Sequence, residues 1–206
     1  MEHAIPSPSR FTQDFLAANA MDPGRFHAWA LAPGMGLGHR ETWWGSLKPR
    51  PLAHEGVDLC CYRSPEGGLH RLEGGARVPC IYPGRVVKVL PDYLGTSVFL
   101  EHPLETGILL TLFGHTVIHP GLAVGQHLEA GELFCAMAPR RASRTAPLAH
   151  LHLSLAWSPG AVDYDRLDWS NLGDGQQVQL LDPGQILGAP WEDLPLEALA
   201  GLDHQL

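Results

Sequence analysis

Between Gly56 and Trp157 the chain alternates short apolar runs with clusters of Gly, Pro and Asp. GVDLCCY, VPCIY, GRVVKVL, TSVFLEH, GILLTLFGH, ELFCAMA and HLHLSLAW are each about a strand long, and no long amphipathic helix is apparent. Short strands at this density fold as packed sheets, so the pattern predicts an all-β protein, an antiparallel sandwich or open barrel with short peripheral helices. HPGLAVGQHLEAGELF, with glycine turns between short apolar pieces, predicts tight antiparallel hairpins. The run rich in Leu and Phe predicts a strand ending at Gly114-His115, overlooking the end of a sheet.

The flanks differ from this core of residues 51–158. Residues 1–50 carry Trp29, Trp43 and Trp44, which a disordered tail would rarely hold, and predict an extension packed on the core with a short helix over 12–20. Residues 159–206 begin with the acidic, turn-rich PGAVDYDRLDWSNLGDGQQ, an inserted surface loop or short helical excursion. A final strand near QVQLLDP and a tail helix over 194–202 follow.

With 206 residues there is room for one principal domain, and 23 Gly and 18 Pro against 17% charged residues agree with a β fold. A net charge of -8 with two lysines, Lys48 and Lys88, argues against a nucleic-acid footprint and a polybasic membrane patch. Neutral or mixed-charge substrates fit better. No positively charged segment leads into an apolar core at the N-terminus, and no run reaches membrane-spanning length, so neither a signal peptide nor a membrane span is expected. A monomer is expected. Cys60, Cys61, Cys80 and Cys135 lack C-x-x-C spacing and read as reduced, mostly buried thiols.

Twelve histidines remain to be placed. His150 and His152, two apart on a strand, share a face roughly 6 to 7 Å apart, closer to one ligand and one free neighbour than to a chelating pair. Exposure of both on an edge face is the bland alternative. In HEGVDL, Asp58 stands where a helical H-E-x-x-H motif has its second histidine, and Gly56-Val57 disfavours helix. A loop running into a strand can instead present His54 and Asp58 to one ion. His115 at a strand end is either a site residue or a plain turn residue, and His119 competes for any function given to it. His3, His27, His39, His70, His102, His127 and His204 read as solvated side chains in loops, turns or termini. Arg50 is placed to touch a carboxylate of substrate or protein.

The order H-x-x-x-D, then F-G-H, then H-x-H resembles the lysostaphin-like and LytM-like zinc metalloendopeptidases, which cut peptidoglycan cross-bridges and stems. The likeness runs from Arg50 to Trp157 and takes in HEGVDL, GRVVKV, LGTSVFLEH, LLTLFGH, GLAVGQHLEAGELF and HLHLSLAW. It implies a LytM-type sandwich, Zn2+ held by His54, Asp58 and His152, catalytic roles for His115 and His150, and a peptide or peptidoglycan substrate. The chain departs from the family at RRASRTAPLAHLH before the H-x-H pair, in lacking an acidic residue after the last strand motif, in a long hairpin over 63–77, and in the 159–177 excursion. These departures bear on substrate choice.

Two imidazoles and one carboxylate would leave a tetrahedral zinc one open position, as hydrolysis requires. His150 would then act as general base, with His115 orienting the water or stabilising the oxyanion. A Cys60 thiolate, two residues beyond Asp58, would close the site and make it structural. The competing function is a catalytically silent module of the same fold that binds cell wall or regulates another hydrolase. A biotinyl or lipoyl carrier is excluded, because neither lysine sits at a hairpin tip. A wall hydrolase would work in the periplasm or outside the cell, and no signal peptide in the chain provides for that, so the compartment stays open.

Overall fold

The structure is a computed structural model that describes residues 9–45, 48–143 and 145–203. His3 and His204 lie outside the described residues. Helix α1 (Phe11–Ala18) and strand β1 (Ala28–Leu31) come first, followed by the short strands β2 (Val57–Leu59), β3 (Cys61–Arg63), β4 (Leu69–Arg71) and β5 (Arg77–Pro79). The long strands β6 (Gly84–Pro91), β7 (Thr96–Leu104) and β8 (Gly107–Ile118) precede β9 (His127–Leu128), β10 (Leu133–Met137) and β11 (Leu151–Ser158). Strands β12 (Gln179–Leu181) and β13 (Trp191–Asp193) and helix α2 (Glu197–Asp203) form the tail.

The larger sheet runs β12-β11-β8-β7-β6-β9, with β2 sharing the β12 edge of β11 and β10 joining β8 to β5. A smaller sheet runs β13-β1-β3-β4. Among the described residues all pairings are antiparallel except β1 with β13, and neither sheet closes into a barrel. Among the described residues no helix is long and apolar enough to cross a membrane.

Strand β11 is buried on both faces, although its sequence alternates leucines with His152, Ser154 and Ala156. Leu151, Leu153 and Leu155 enter the main core with Phe113, Phe134 and Trp29. Ala156 faces the other way, onto Phe99, Leu110 and Leu112. That second face is covered by Leu167 and Leu172 of the excursion, both fully buried, so residues 159–177 are a turn-rich surface loop that lies as a lid over the sheet. Each such leucine stabilises the cover by about 1.5–3 kcal/mol. Lys88 fastens it, its Nζ donating to the carbonyls of Tyr164 (2.8 Å), Asp165 (3.1 Å) and Leu167 (2.8 Å).

Helix α1 covers Phe11–Ala18, where the sequence suggests 12–20, and sets Phe11 and Phe15 one turn apart against Trp29. Several expectations are corrected. The pieces of HPGLAVGQHLEAGELF do not pair as hairpins: β9 joins β6, and β10 joins β5 and β8. Strand β8 does not stop at His115 but continues to Ile118 by changing partner, from β11 up to Gly114 to β10 from Thr116. His102 is not a solvated turn residue: it lies in β7, 2% exposed, bonded to the Pro83 carbonyl (3.0 Å) and the Thr111 hydroxyl (2.8 Å). His70 sits in β4 and His127 in β9, so neither is a loop residue.

Candidate metal centre

Register brings the site together. His152 on β11 lies opposite Asp58 of β2 on one side and Gly114 of β8 on the other, and directly paired residues project to the same face. The chain before β2 crosses close enough to β11 that a side chain at Gly56 would run into the Leu153 carbonyl and the Ser154 hydroxyl. Glycine there lets His54 swing in over the strand end. His54 Nε2, Asp58 Oδ1 and His152 Nδ1 stand 3.0 Å (His54 to His152), 3.2 Å (His54 to Asp58) and 3.0 Å (His152 to Asp58) apart. Ligands on a tetrahedral zinc at about 2.0–2.2 Å are separated by about 3.3 Å, so these three atoms have the spacing of one coordination sphere.

Their outer bonds fix which atoms face inward. His54 Nδ1 donates to the Gly36 carbonyl (3.0 Å), which leaves Nε2 a lone pair. His152 Nε2 meets the Ser154 hydroxyl (2.9 Å), a group that can take up the Nε2 proton and so free the Nδ1 lone pair for an ion at the centre. Asp58 Oδ2 accepts from Trp43 Nε1 (2.8 Å) and lies 3.5 Å from Arg50 Nη2, leaving Oδ1 for the centre. Two ring nitrogens and one carboxylate oxygen therefore converge, all buried, and a divalent cation that displaced the proton shared by His152 and Asp58 would satisfy all three. Burial alone would raise the Asp58 carboxyl, but the facing His54 and His150 rings and the His152 bond outweigh it and hold the group well below the carboxylate range. Burial pushes His152 down to about 4.

His150 precedes β11, 2% exposed, with Nδ1 donating to the Leu148 carbonyl (2.8 Å) and Nε2 3.8 Å from Asp58 Oδ1. Burial pushes it down to about 4, so it is neutral at pH 7 and its Nε2 is free to accept a proton. His115 sits at the partner change of β8 with a left-handed φ of 63°, a strained backbone for a non-glycine residue that aims its ring at His150 with centroids 4.8 Å apart. Asp92 fixes it, accepting from the His115 amide (2.8 Å) and Nδ1 (3.0 Å). Burial would raise Asp92, but those bonds and the Ser97 hydroxyl hold its carboxyl far below the usual range. His119 is not among the residues that line the cleft at the centre.

That cleft holds about 460 Å³ and has His54, Asp58, His115, His150 and His152 in its floor. Trp44, Leu52, Tyr93 and Trp169 form apolar walls, and the Trp169 ring stands edge-on to His152 at 4.9 Å. Cys60 is not a fourth ligand: the possible ligand atoms that lie within 4.8 Å of one another belong to His54, Asp58 and His152 among the described residues. Its sulfur is 3.1 Å from that of Cys61, and the neighbouring thiol and burial hold it protonated, well above its ordinary range. Asp92, Trp43 and Trp169 were not anticipated. Only Asp92 left a trace, in PDYLG, where an aspartate heads a tight turn and bonds the amides of Leu94 and Gly95.

No protein-family model matches the chain, and no curated protein does. Solved structures similar to it are those of peptidases. The catalytic domain of the antimicrobial peptidase lysostaphin from Staphylococcus simulans is 17% identical, with a TM-score of 0.44 over 73% of this chain and 86% of that one. LytU is 16% identical, with a TM-score of 0.41 over 79% and 83%. A zinc-containing peptidase from Vibrio cholerae is 19% identical, with a TM-score of 0.40 over 70% of this chain and 40% of that one. At these values the roles proposed below rest on the site's own geometry.

Proposed function

We propose that the chain is a zinc-dependent endopeptidase that cuts peptide bonds in peptidoglycan cross-bridges or stem peptides. The observation that carries this reading is the convergence of His54 Nε2, Asp58 Oδ1 and His152 Nδ1 at the floor of an open cleft, with two further histidines beside them. His54, Asp58 and His152 would hold a zinc ion, which when bound would supply Lewis-acid polarisation of the scissile carbonyl and a water ionisable near neutral pH.

The chain's own residues do the rest. His150 takes the proton from the attacking water at Nε2, while the Leu148 carbonyl holds its Nδ1 proton in place. His115, clamped through Nδ1 by Asp92, presents Nε2 to orient that water or to stabilise the oxyanion that develops on the substrate. Trp43 and the Gly36 carbonyl keep Asp58 and His54 aimed, and the apolar walls exclude bulk water from the reacting bond.

The test is digestion of purified sacculi by zinc-loaded protein with and without a chelator, with products identified by mass. His150→Ala should abolish turnover and keep zinc, and His152→Ala should lose both. Zinc and activity surviving in both variants would refute the assignment of roles. No chelator-sensitive product from any wall type would favour the silent, regulatory module instead.

A further inference from the structure

Four formally charged side chains, besides the histidines, line the cleft, and three are already committed. Arg50 donates to the Gly34 carbonyl (3.0 Å), touches Asp58 and stacks on Trp44 with its guanidinium carbon 5.1 Å from the ring centre. Asp58 is bonded to His152 and Trp43, and Asp92 to His115 and to the Ser97 hydroxyl (2.6 Å). The fourth is Glu55. Its carboxylate meets its own backbone amide and, although it lies within electrostatic reach of Arg50 and His54, bonds neither of them nor any other described residue while partly buried.

Removing an ionised carboxylate from water without a partner is costly, and the cost falls when a ligand supplies the opposite charge. Apolar walls such as Leu52, Tyr93 and Trp169 lower the local dielectric and strengthen any ion pair made there. Glu55 directly follows His54, so its Cα is only about 3.8 Å from that of a proposed ligand, and whatever it binds lies near the reacting bond. A net charge of -8 further favours approach of a cation over an anion.

Resting on the proposed peptidase reading, we propose that Glu55 is a specificity-determining residue that binds a substrate ammonium, so that the peptides taken by this cleft carry a free amine beside the scissile bond. The amine is either the α-amino group of a short bridge or the side-chain amine of a diamino acid, and both present the same charge and donors to the carboxylate.

Binding is measured without turnover, on the zinc-loaded full chain carrying His150→Ala, by quenching of the cleft tryptophans. The probes are pentaglycine amide with a free N-terminus, the same peptide acetylated, and the acetylated peptide with a central lysine. At least one amine probe should bind about ten-fold tighter than the acetylated pentaglycine, about 1.4 kcal/mol, and which one does so tells the α-amine from the side-chain amine. Adding Glu55→Gln should erase the preference, and Glu55→Asp should keep part of it, with unchanged melting temperatures verifying the fold. Equal affinity for the three probes, no binding of any at millimolar concentration, or a preference that survives Glu55→Gln overturns the proposal. So does a Glu55→Gln change in the otherwise native protein that slows cleavage of capped and free peptides equally, since the carboxylate would then be acting as a base. Absence of cleavage would remove the peptidase reading, and the affinities would still decide the role of Glu55.

Discussion

Zinc should stabilise the fold, and His152→Ala should remove that effect. In the folded chain the three candidate ligand atoms lie 3.0–3.2 Å apart, and burial keeps the His150 and His152 rings neutral, so near pH 7 a cation meets no imidazolium charge on either of them. His152 and Asp58 are 94 residues apart in sequence, and unfolding disperses the set. A cation that binds only the folded state at a hundred-fold excess over its Kd stabilises by about 2.7 kcal/mol. For a chain of this length each kcal/mol moves the melting temperature by about 2–4 °C, so chelator-treated protein should gain about 5–11 °C on zinc addition. Calorimetric melts across a zinc titration measure this, and zinc-edge absorption should show nitrogen and oxygen neighbours without sulfur. An equal rise in His152→Ala, or none in the native chain, refutes the reasoning, and sulfur at the metal would reinstate Cys60.

Three further outcomes are expected. Gly56→Ala forces β2 away from Leu153 and Ser154 and should cost about 1–3 kcal/mol in urea unfolding while weakening zinc binding, so a silent substitution would contradict the close approach. Lys88→Met frees three carbonyls of the 159–177 lid, so Trp169 emission should shift to the red and KM should rise more than kcat falls; an unmoved spectrum contradicts the clamp. His102 is held neutral by burial, its pKa below the unfolded value of about 6.5, so its contribution is complete above that pH and declines as pH falls below it, by at most about 1.4 kcal/mol per pH unit. Urea midpoints at pH 7.5 and 5.5 should therefore fall less in His102→Gln than in the native chain, and parallel losses would show that His102 is protonated in the fold.

The strands of the larger sheet were legible from local pattern, apolar runs between turn formers, whereas the grouping of His54, Asp58 and His152 came from the resemblance in the order of three motifs, since local spacing left each of them open. What escaped depends on distant chain. Strands β1 and β13 are four and three residues long and pair in parallel from opposite ends of the sequence, so neither carries a signal of its own. His102 precedes a proline near a turn and looks exposed, yet β7 continues through it into the core. Asp92 acts through a side chain aimed back across a turn at His115, 23 residues later, and spacing alone gives no hint of that. The left-handed backbone at His115 follows from the change of partner along β8, a property of the assembled sheet.

Trp43 and Arg50 stand before the first ligand in the chain, yet both reach the outer oxygen of Asp58, and the carbonyl that steadies His54 comes from Gly36. A fragment excised to begin at residue 51 would thus keep every side chain proposed to bind the metal and forfeit the scaffolding that aims two of them. Gly36, Trp43 and Arg50 belong with the proposed site, and a truncation designed around the motifs alone would leave the ligands loosely held.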